Sequence, residues 1–237
     1  MTFGGDGPVK DAVSVHYRPS APRGEDTRRR ILETAIEAFA VDGYDAVSTR
    51  RLAERAGVNL PAIQYYFGSK EGLYRAAIDH IVRQIEERMA PIAARVNAVL
   101  TDGNPSRREL LGLLQELLDA FAALVVGGEH LESRRLLFAR AEIERTAALD
   151  ALHESGMRQV VEPCMALVGR LLGRAPKDDV TVLRTLLVLG QVTVFCNEGA
   201  RRALGWADFS AERLRAIQAL VREQTQAIFG ARGGSTG

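Results

Sequence analysis

The stretch Ser48–Lys70, STRRLAERAGVNLPAIQYYFGSK, decides the fold of this chain. It divides into two short helices about a tight turn. The spacing predicts the first helix over 49–56, with Leu52, Ala53 and Ala56 on one apolar face. Ser48 or Thr49 offers a hydroxyl to the free amides of its first turn. Gly57 ends it, because glycine takes the positive φ that a helix C-terminus often needs. Asn59 is a good cap for the second helix, and Pro61 falls in its first turn, where a missing N–H is harmless. Ile63 and Phe67, four apart, point back to the core. Leu60, Pro61, Ala62, Gln64, Tyr65 and Tyr66 are left on the outer face.

A helix that shows proline, glutamine and two tyrosines to water makes sense if that face is read by something. Helix, glycine turn and polar-aromatic second helix together make a helix-turn-helix, whose second helix enters the major groove of DNA. Gln64 can both donate to and accept from an adenine edge, and Tyr65 and Tyr66 can reach phosphates or thymine methyls. Arg50 and Arg51 stand in the first turn of the first helix, where the macrodipole prefers anions. A bound phosphate reverses that misfit, since free amides and arginines together make an anion site. The competing reading of the two arginines is a solvated charge face.

Upstream, a helix is predicted over 27–41 with Asp26 as its cap. Ile31, Ala35 and Phe39 form one row and Leu32, Ile36 and Ala40 a second, the inner stripe of a three-helix domain. This helix followed by STRRLAERAGV-x4-I-x3-F-x-SK-x2-LY resembles the DNA-binding domain of TetR-family transcriptional regulators. The resemblance covers residues 27–75. The family most often has tyrosine directly after the Ile63 position. Here Gln64 stands there and Tyr65 and Tyr66 follow, a spacing similar to the CecR-like branch. The segment GQVTVFCNEGARRALGW, Gly190–Trp206, also resembles the C-terminal domain of CecR-like regulators. The resemblance implies DNA contact at Arg50, and the DNA-facing set we expect is Ser48, Thr49, Arg50, Leu60, Pro61, Ala62, Gln64, Tyr65, Tyr66 and Lys70.

The bulk charge does not announce nucleic acid. The chain of 237 residues has a formal net charge of +1, and residues 25–80 hold eight Arg or Lys against nine Asp or Glu. DNA binding must therefore come from local placement of Arg50, Arg51, Arg55 and Lys70. With 46% hydrophobic residues the chain can bury a sizeable core. Cys164 and Cys196 lie in apolar surroundings, which favours reduced thiols in a cytoplasmic protein over a disulfide. No apolar run opens the sequence, and the longest apolar stretch, Thr185–Cys196, is interrupted by Gln191 and is too short to span a bilayer. No membrane partner is expected.

The remaining chain reads as all helix. Residues 1–24, rich in glycine, proline and small polar residues, are expected to be a disordered tail. Ser69 caps a helix expected to reach Met89, before Pro91, which links the DNA-binding domain of residues 25–72 to the rest. Ser106 and Glu109 form a capping box for a central helix to Val126. Helices are expected at 130–145 and 148–173, the latter kinked by Pro163. A helix over 178–200 is apolar nearly all round and so should be buried on both sides, with its own core on one and a second subunit on the other. Ser210 caps a last helix over 211–229 whose Leu214, Ile217, Leu220, Val221 and Ile228 make a second stripe. Pairing these two helices across two chains gives a four-helix, two-fold dimer. Residues 73–229 are thus expected to form a helical ligand-binding and dimerisation domain, and 230–237 a flexible end.

Catalytic machinery is missing from the sequence: it has no Gly-rich phosphate loop, no HExxH, no paired CxxC and no nucleophile elbow. The four histidines are scattered, and we assign no metal and no cofactor. Polar residues on apolar helices favour a small-molecule site instead, with Phe121, Phe138, Met165, Gln191 and Phe195 as its candidate lining. The reading is an all-α homodimeric repressor released from a palindromic DNA operator by a small-molecule effector, and not an enzyme. The alternatives are a helical ligand-binding or protein-interaction module without operator binding, and a helical enzyme.

Overall fold

The computed structural model describes residues 23–127, 133–134, 136–137, 140, 156–196, 198–206 and 210–230. The described residues contain helices and no strand. The expected tails, the helix expected at 130–145, Phe138 and the first part of the helix expected at 148–173 fall wholly or mostly outside them.

Helix α1 spans Arg23–Asp42. It starts four residues before the expected Thr27, so Asp26 lies in the first turn, 3.5 Å from Arg29 Nη2, rather than at the cap. Ile31, Leu32, Ala35, Ile36, Phe39 and Ala40 are buried, as the stripe requires. Helix α2, Thr49–Ala56, has the expected bounds, and α3, Leu60–Phe67, starts directly after its expected cap Asn59. The turn between them works as its residue types dictate. Gly57 sits at φ 63°, ψ 38°, and its left-handed conformation ends α2. Asn59 Oδ1 then accepts from the Ala62 amide at 3.1 Å and starts α3.

Helix α4 runs 33 residues, Lys70–Asp102, about 50 Å at 1.5 Å per residue. Ser69 caps it, its hydroxyl accepting from Gly72 N at 3.0 Å. The expected stop before Pro91 does not occur. Pro91 is exposed, while Met89, Ala93 and Val96 continue the buried stripe across it. Packing of that stripe outweighs the one backbone bond that proline removes, a loss of about 3 kcal/mol in a helix interior.

Helix α5, Arg107–Val126, is the centre of the larger domain. Its capping box is present: Ser106 N donates to Glu109 Oε2 at 2.8 Å and Glu109 N to Ser106 Oγ at 3.3 Å. Bonds from the Ser106 hydroxyl and amide hold the Glu109 carboxyl below its ordinary range. Around α5 pack α4, α6 (Arg158–Leu172), α7 (Asp179–Thr193) and, after α8 (Glu198–Leu204), the last helix α9 (Ala211–Gly230). Arg107 fastens two of their ends. Its Nε donates to Phe229 O at 3.0 Å and its Nη1 to Leu171 O at 2.8 Å.

The helix expected as one piece over 178–200 is broken. After Thr193 the chain tightens into a 3-10 turn, Val194–Cys196, before α8. The run Val192-Thr193-Val194 is β-branched, which weakens a helix, and the Cys196 thiol donates to Val125 O at 3.3 Å, drawing the turn toward the end of α5. Asp179–Cys196 is nonetheless 18 residues with a mean hydropathy of 1.5, long and apolar enough by length and composition to cross a membrane, contrary to the expectation from Thr185–Cys196 alone. Its two sides differ. Thr181, Thr185, Val188, Leu189 and Val192 are buried, while Leu183, Leu186 and Leu187 are exposed, Leu187 to 65%. The last helix divides likewise: Ile217, Val221, Thr225 and Phe229 face the core, but Leu220 and Ile228 stand outside. The stripe expected on α9 is therefore two stripes.

Candidate nucleic-acid interface

Helix α3 is held by one buried side chain, Ile63, with Phe67 half-buried behind it. Such shallow seating leaves most of its circumference outside. Leu60, Pro61, Gln64 and Tyr65 are exposed, Tyr65 to 83%, and Ala62 is half-exposed. Tyr66 departs from the outer-face reading. It is half-buried against the core, with its ring edge-on to Tyr65 at 5.0 Å and 6.2 Å from Phe67. Its hydroxyl lies over Gly24, where a Cβ would meet it at 3.4 Å. The early start of α1 creates this contact and props the end of α3. Arg28 adds to the prop, its guanidinium 5.4 Å from the centre of the Phe67 ring, a contact without local signal in the sequence.

The N-terminus of α2 forms the second edge. Ser48 is extended at φ −96°, ψ 128°, its side chain makes no cap bond, and it is exposed. The hydroxyl expected to cap α2 is thus directed elsewhere, and Thr49 is half-buried beside it. The Arg50 side chain is 84% exposed, its Nε 3.5 Å from Glu54 one turn on. That pair is weak in water and yields to a phosphate readily. Arg51 is exposed and lines a shallow depression with Ser48, Asp42 and Arg55, while Arg55 lies 3.7 Å from Glu37 of α1. Lys70 is tethered. Its Nζ donates to Asp45 O at 3.1 Å and lies 4.7 Å from the centre of the Tyr44 ring. It braces the loop between α1 and α2 from the first turn of α4.

Gln64 and Tyr65 of α3 and Ser48 and Arg50 of α2 are all exposed, and Ser48 and Arg50 carry hydrogen-bonding groups free of strong internal partners. Residues 31–77 match the family described as bacterial regulatory proteins, tetR family, and residues 110–232 match the C-terminal domain of HTH-type transcriptional dual regulator CecR. The chain belongs to the TetR family, in its CecR-like branch. It is a DNA-binding transcriptional regulator with a helix-turn-helix domain ahead of a larger helical domain. It is 28% identical to the dual regulator CecR of Shigella flexneri over 205 residues, 84% of this chain and 89% of that one. It is 25% identical to the transcriptional repressor NicS of Pseudomonas putida over 179 residues, 75% of this chain and 78% of that one. The crystal structure of Mycobacterium smegmatis AmtR shares the fold at a TM-score of 0.61 with 18% identity, covering 92% of this chain and 90% of that one.

In this TetR-family chain the expected ligand residues differ in burial. Phe121 is fully buried in the core, Met165, Gln191 and Phe195 are half-buried, and Phe138 lies outside the described residues. Gln191 Oε1 is buried without a hydrogen-bond partner. A cleft of about 550 Å³ opens elsewhere, between α4 and α6, lined by Glu86, Ala93, Asn97, Arg158, Gln159, Glu162, Pro163 and Ala166. It is a polar cleft, and Arg158 Nε is bound to Glu162 Oε1 at 2.8 Å within it. No group of three or more His, Cys, Asp or Glu among the described residues is placed to hold a metal ion. Of the four histidines, His16, His130 and His153 lie outside the described residues. Burial pushes the Cys164 thiol up to about 12, so it is an inert core group.

Proposed function

We propose that the chain is a homodimeric, effector-responsive repressor that docks α3 of each protomer in successive major grooves of a palindromic operator. Domain limits of 25–72 for reading DNA and 73–229 for dimerisation and effector binding belong to this reading, as does the absence of catalytic activity. The observation that carries it is the exposure of Gln64 and Tyr65 on α3 together with that of Arg50 in the first turn of α2. Gln64 reads a base edge, Leu60, Pro61 and Ala62 approach thymine methyls and sugars, and Ser48, Thr49 and Arg50 hold phosphates. Tyr66 and Lys70 act mainly by bracing α3 and the preceding loop, whatever second contact they make to the backbone.

The dimer forms through α7 and α9. Leu183, Leu186, Leu187, Leu220 and Ile228 stay exposed in one chain, and an aliphatic face of that extent is buried in a second copy. This also accounts for the hydropathy of 179–196 without a membrane, in a cytoplasmic protein. The effector enters the cleft between α4 and α6, whose volume suits a small molecule. Its polar walls favour a ligand with several hydrogen-bonding groups. Selecting duplexes from a random pool with the purified chain tests this function. The expected product is a two-fold symmetric sequence bound by two protomers; a pool that shows no enrichment contradicts operator binding.

A further inference from the structure

Helix α1 ends at Asp42, and its last carbonyls have no partners within the helix. They are the negative end of its dipole, yet its last turn has no basic residue of its own. Gly43 N takes Phe39 O at 3.0 Å. The next two carbonyls are taken by Arg140, far along the sequence in the larger domain. Its Nε donates to Ala40 O at 2.7 Å and its Nη2 to Val41 O at 2.6 Å. Two charge-assisted bonds from one planar fork fix both distance and direction, which a lysine cannot do. From the other side Lys70, in the first turn of α4, donates to Asp45 O. The segment 40–45 that leads to Ser48 and Arg50 is therefore held by two cations from outside α2 and α3, Arg140 at the end of α1 and Lys70 in the loop.

We propose that Arg140 is a positioning residue for DNA binding, a second tether that sets the angle of the helix-turn-helix against the larger domain independently of α4. The proposal rests on the operator-binding reading above. Arg140 reaches the DNA-reading helices only through α1, so it acts through their orientation. With the clasp in place α2 and α3 are presented at one angle. Without it they pivot on the start of α4, only a fraction of molecules has the competent angle, and apparent affinity falls by that fraction.

The test compares Arg140→Ala and Arg140→Lys with the wild-type chain, by fluorescence anisotropy on a selected duplex across a salt series and by hydrogen exchange on the free protein. Arg140→Ala is expected to bind about tenfold more weakly, with salt slope and base preference as in wild type. Arg140→Lys, with a point charge in place of a fork, falls between them. Exchange is expected to quicken at residues 41–48 and to stay unchanged in α5 and α9. Wild-type affinity in Arg140→Ala overturns the proposal. So does a salt slope lowered by about one, which would make Arg140 a phosphate contact, and so does exchange quickened throughout α5 and α9. If the wild-type chain selects no duplex, the operator reading fails by itself, and the exchange arm still decides: unchanged rates at 41–48 overturn the clasp.

Discussion

The outward faces of α3 and α7 are both exposed and both crowded with large side chains, but their chemistry is opposite. On α3 the exposed groups are Leu60, a proline, a glutamine amide and a tyrosine ring, and on α2 the exposed Arg50 and Arg51 precede it in the chain. On α7 they are Leu183, Leu186 and Leu187, with Leu220 and Ile228 of α9 alongside. An aliphatic face offers a partner nothing but area removed from water, about 25 cal/mol per Å². A face of amides, rings and guanidinium groups gains little from burial alone and much from matched acceptors. In the proposed function both are binding surfaces, and side-chain chemistry separates a protein partner from a nucleic acid. In the proposed assembly the two depend on each other in one direction, since the aliphatic face sets the spacing of two reading faces.

The largest expected effect tests that dependence. Leu187→Glu places an unpaired charge in the dimer contact and should cost about 3 kcal/mol or more there. Sedimentation should show monomer, and operator affinity should drop about a hundredfold or more as the avidity of two linked half-sites is lost. Dimeric Leu187→Glu protein with full DNA affinity would break the comparison. Next is Gln64→Ala, expected to lose roughly 1–3 kcal/mol on the cognate duplex and to relax preference at one base pair. Its sedimentation should match wild type, because α3 takes no part in the dimer.

A smaller effect is expected from Arg50→Ala. Binding should weaken on all duplexes alike, and the slope of log affinity against log salt should fall by about one. An unchanged slope would remove Arg50 from the phosphate contacts. The smallest concerns the junction of α1 and α4, away from both faces. His80 is bonded to Gln84 at 2.8 Å, and burial, with Arg83 and Arg134 nearby, pushes its pKa down from 6.5, while Glu33 opposes them. A lowered histidine pKa means the unfolded chain binds the proton more readily. The stabilisation is then full above about pH 6.5 and is lost as pH falls through the depressed value. Thermal midpoints of His80→Gln should show a shallower decline below that pH than wild type. Parallel declines would mean that other groups govern it.

Much of the fold was legible because its signals are local. Gly57 at positive φ, Asn59 as cap and the Ser106–Glu109 box are decided by residues within four positions of one another, and each stands where its chemistry put it. The misreadings have tertiary causes. Pro91 reads as a stop, but the stripe of Met89, Ala93 and Val96 has enough packing to carry the helix through it. Tyr66 reads as outward on a helical wheel, but the extra turn of α1 before Thr27 closes over it. Lys70 reads as a free cation, but Asp45 and Tyr44, 25 and 26 residues earlier, claim it. The break after Thr193 falls at the β-branched run Val192-Thr193-Val194, inside an apolar pattern that reads as one helix. Pocket lining was the least legible, because a phenylalanine that fills a core and one that walls a cavity look alike in sequence.

The central claim is that two copies of this chain, joined by α7 and α9, read two half-sites at once. It is tested most directly by titrating the protein against a series of duplexes carrying the selected half-sites at varied separation. The account predicts tightest binding with the half-site centres one helical turn apart, about 34–36 Å. Affinity should drop steeply when half a turn is inserted and the sites face opposite sides of the duplex. Affinity indifferent to the separation would contradict it.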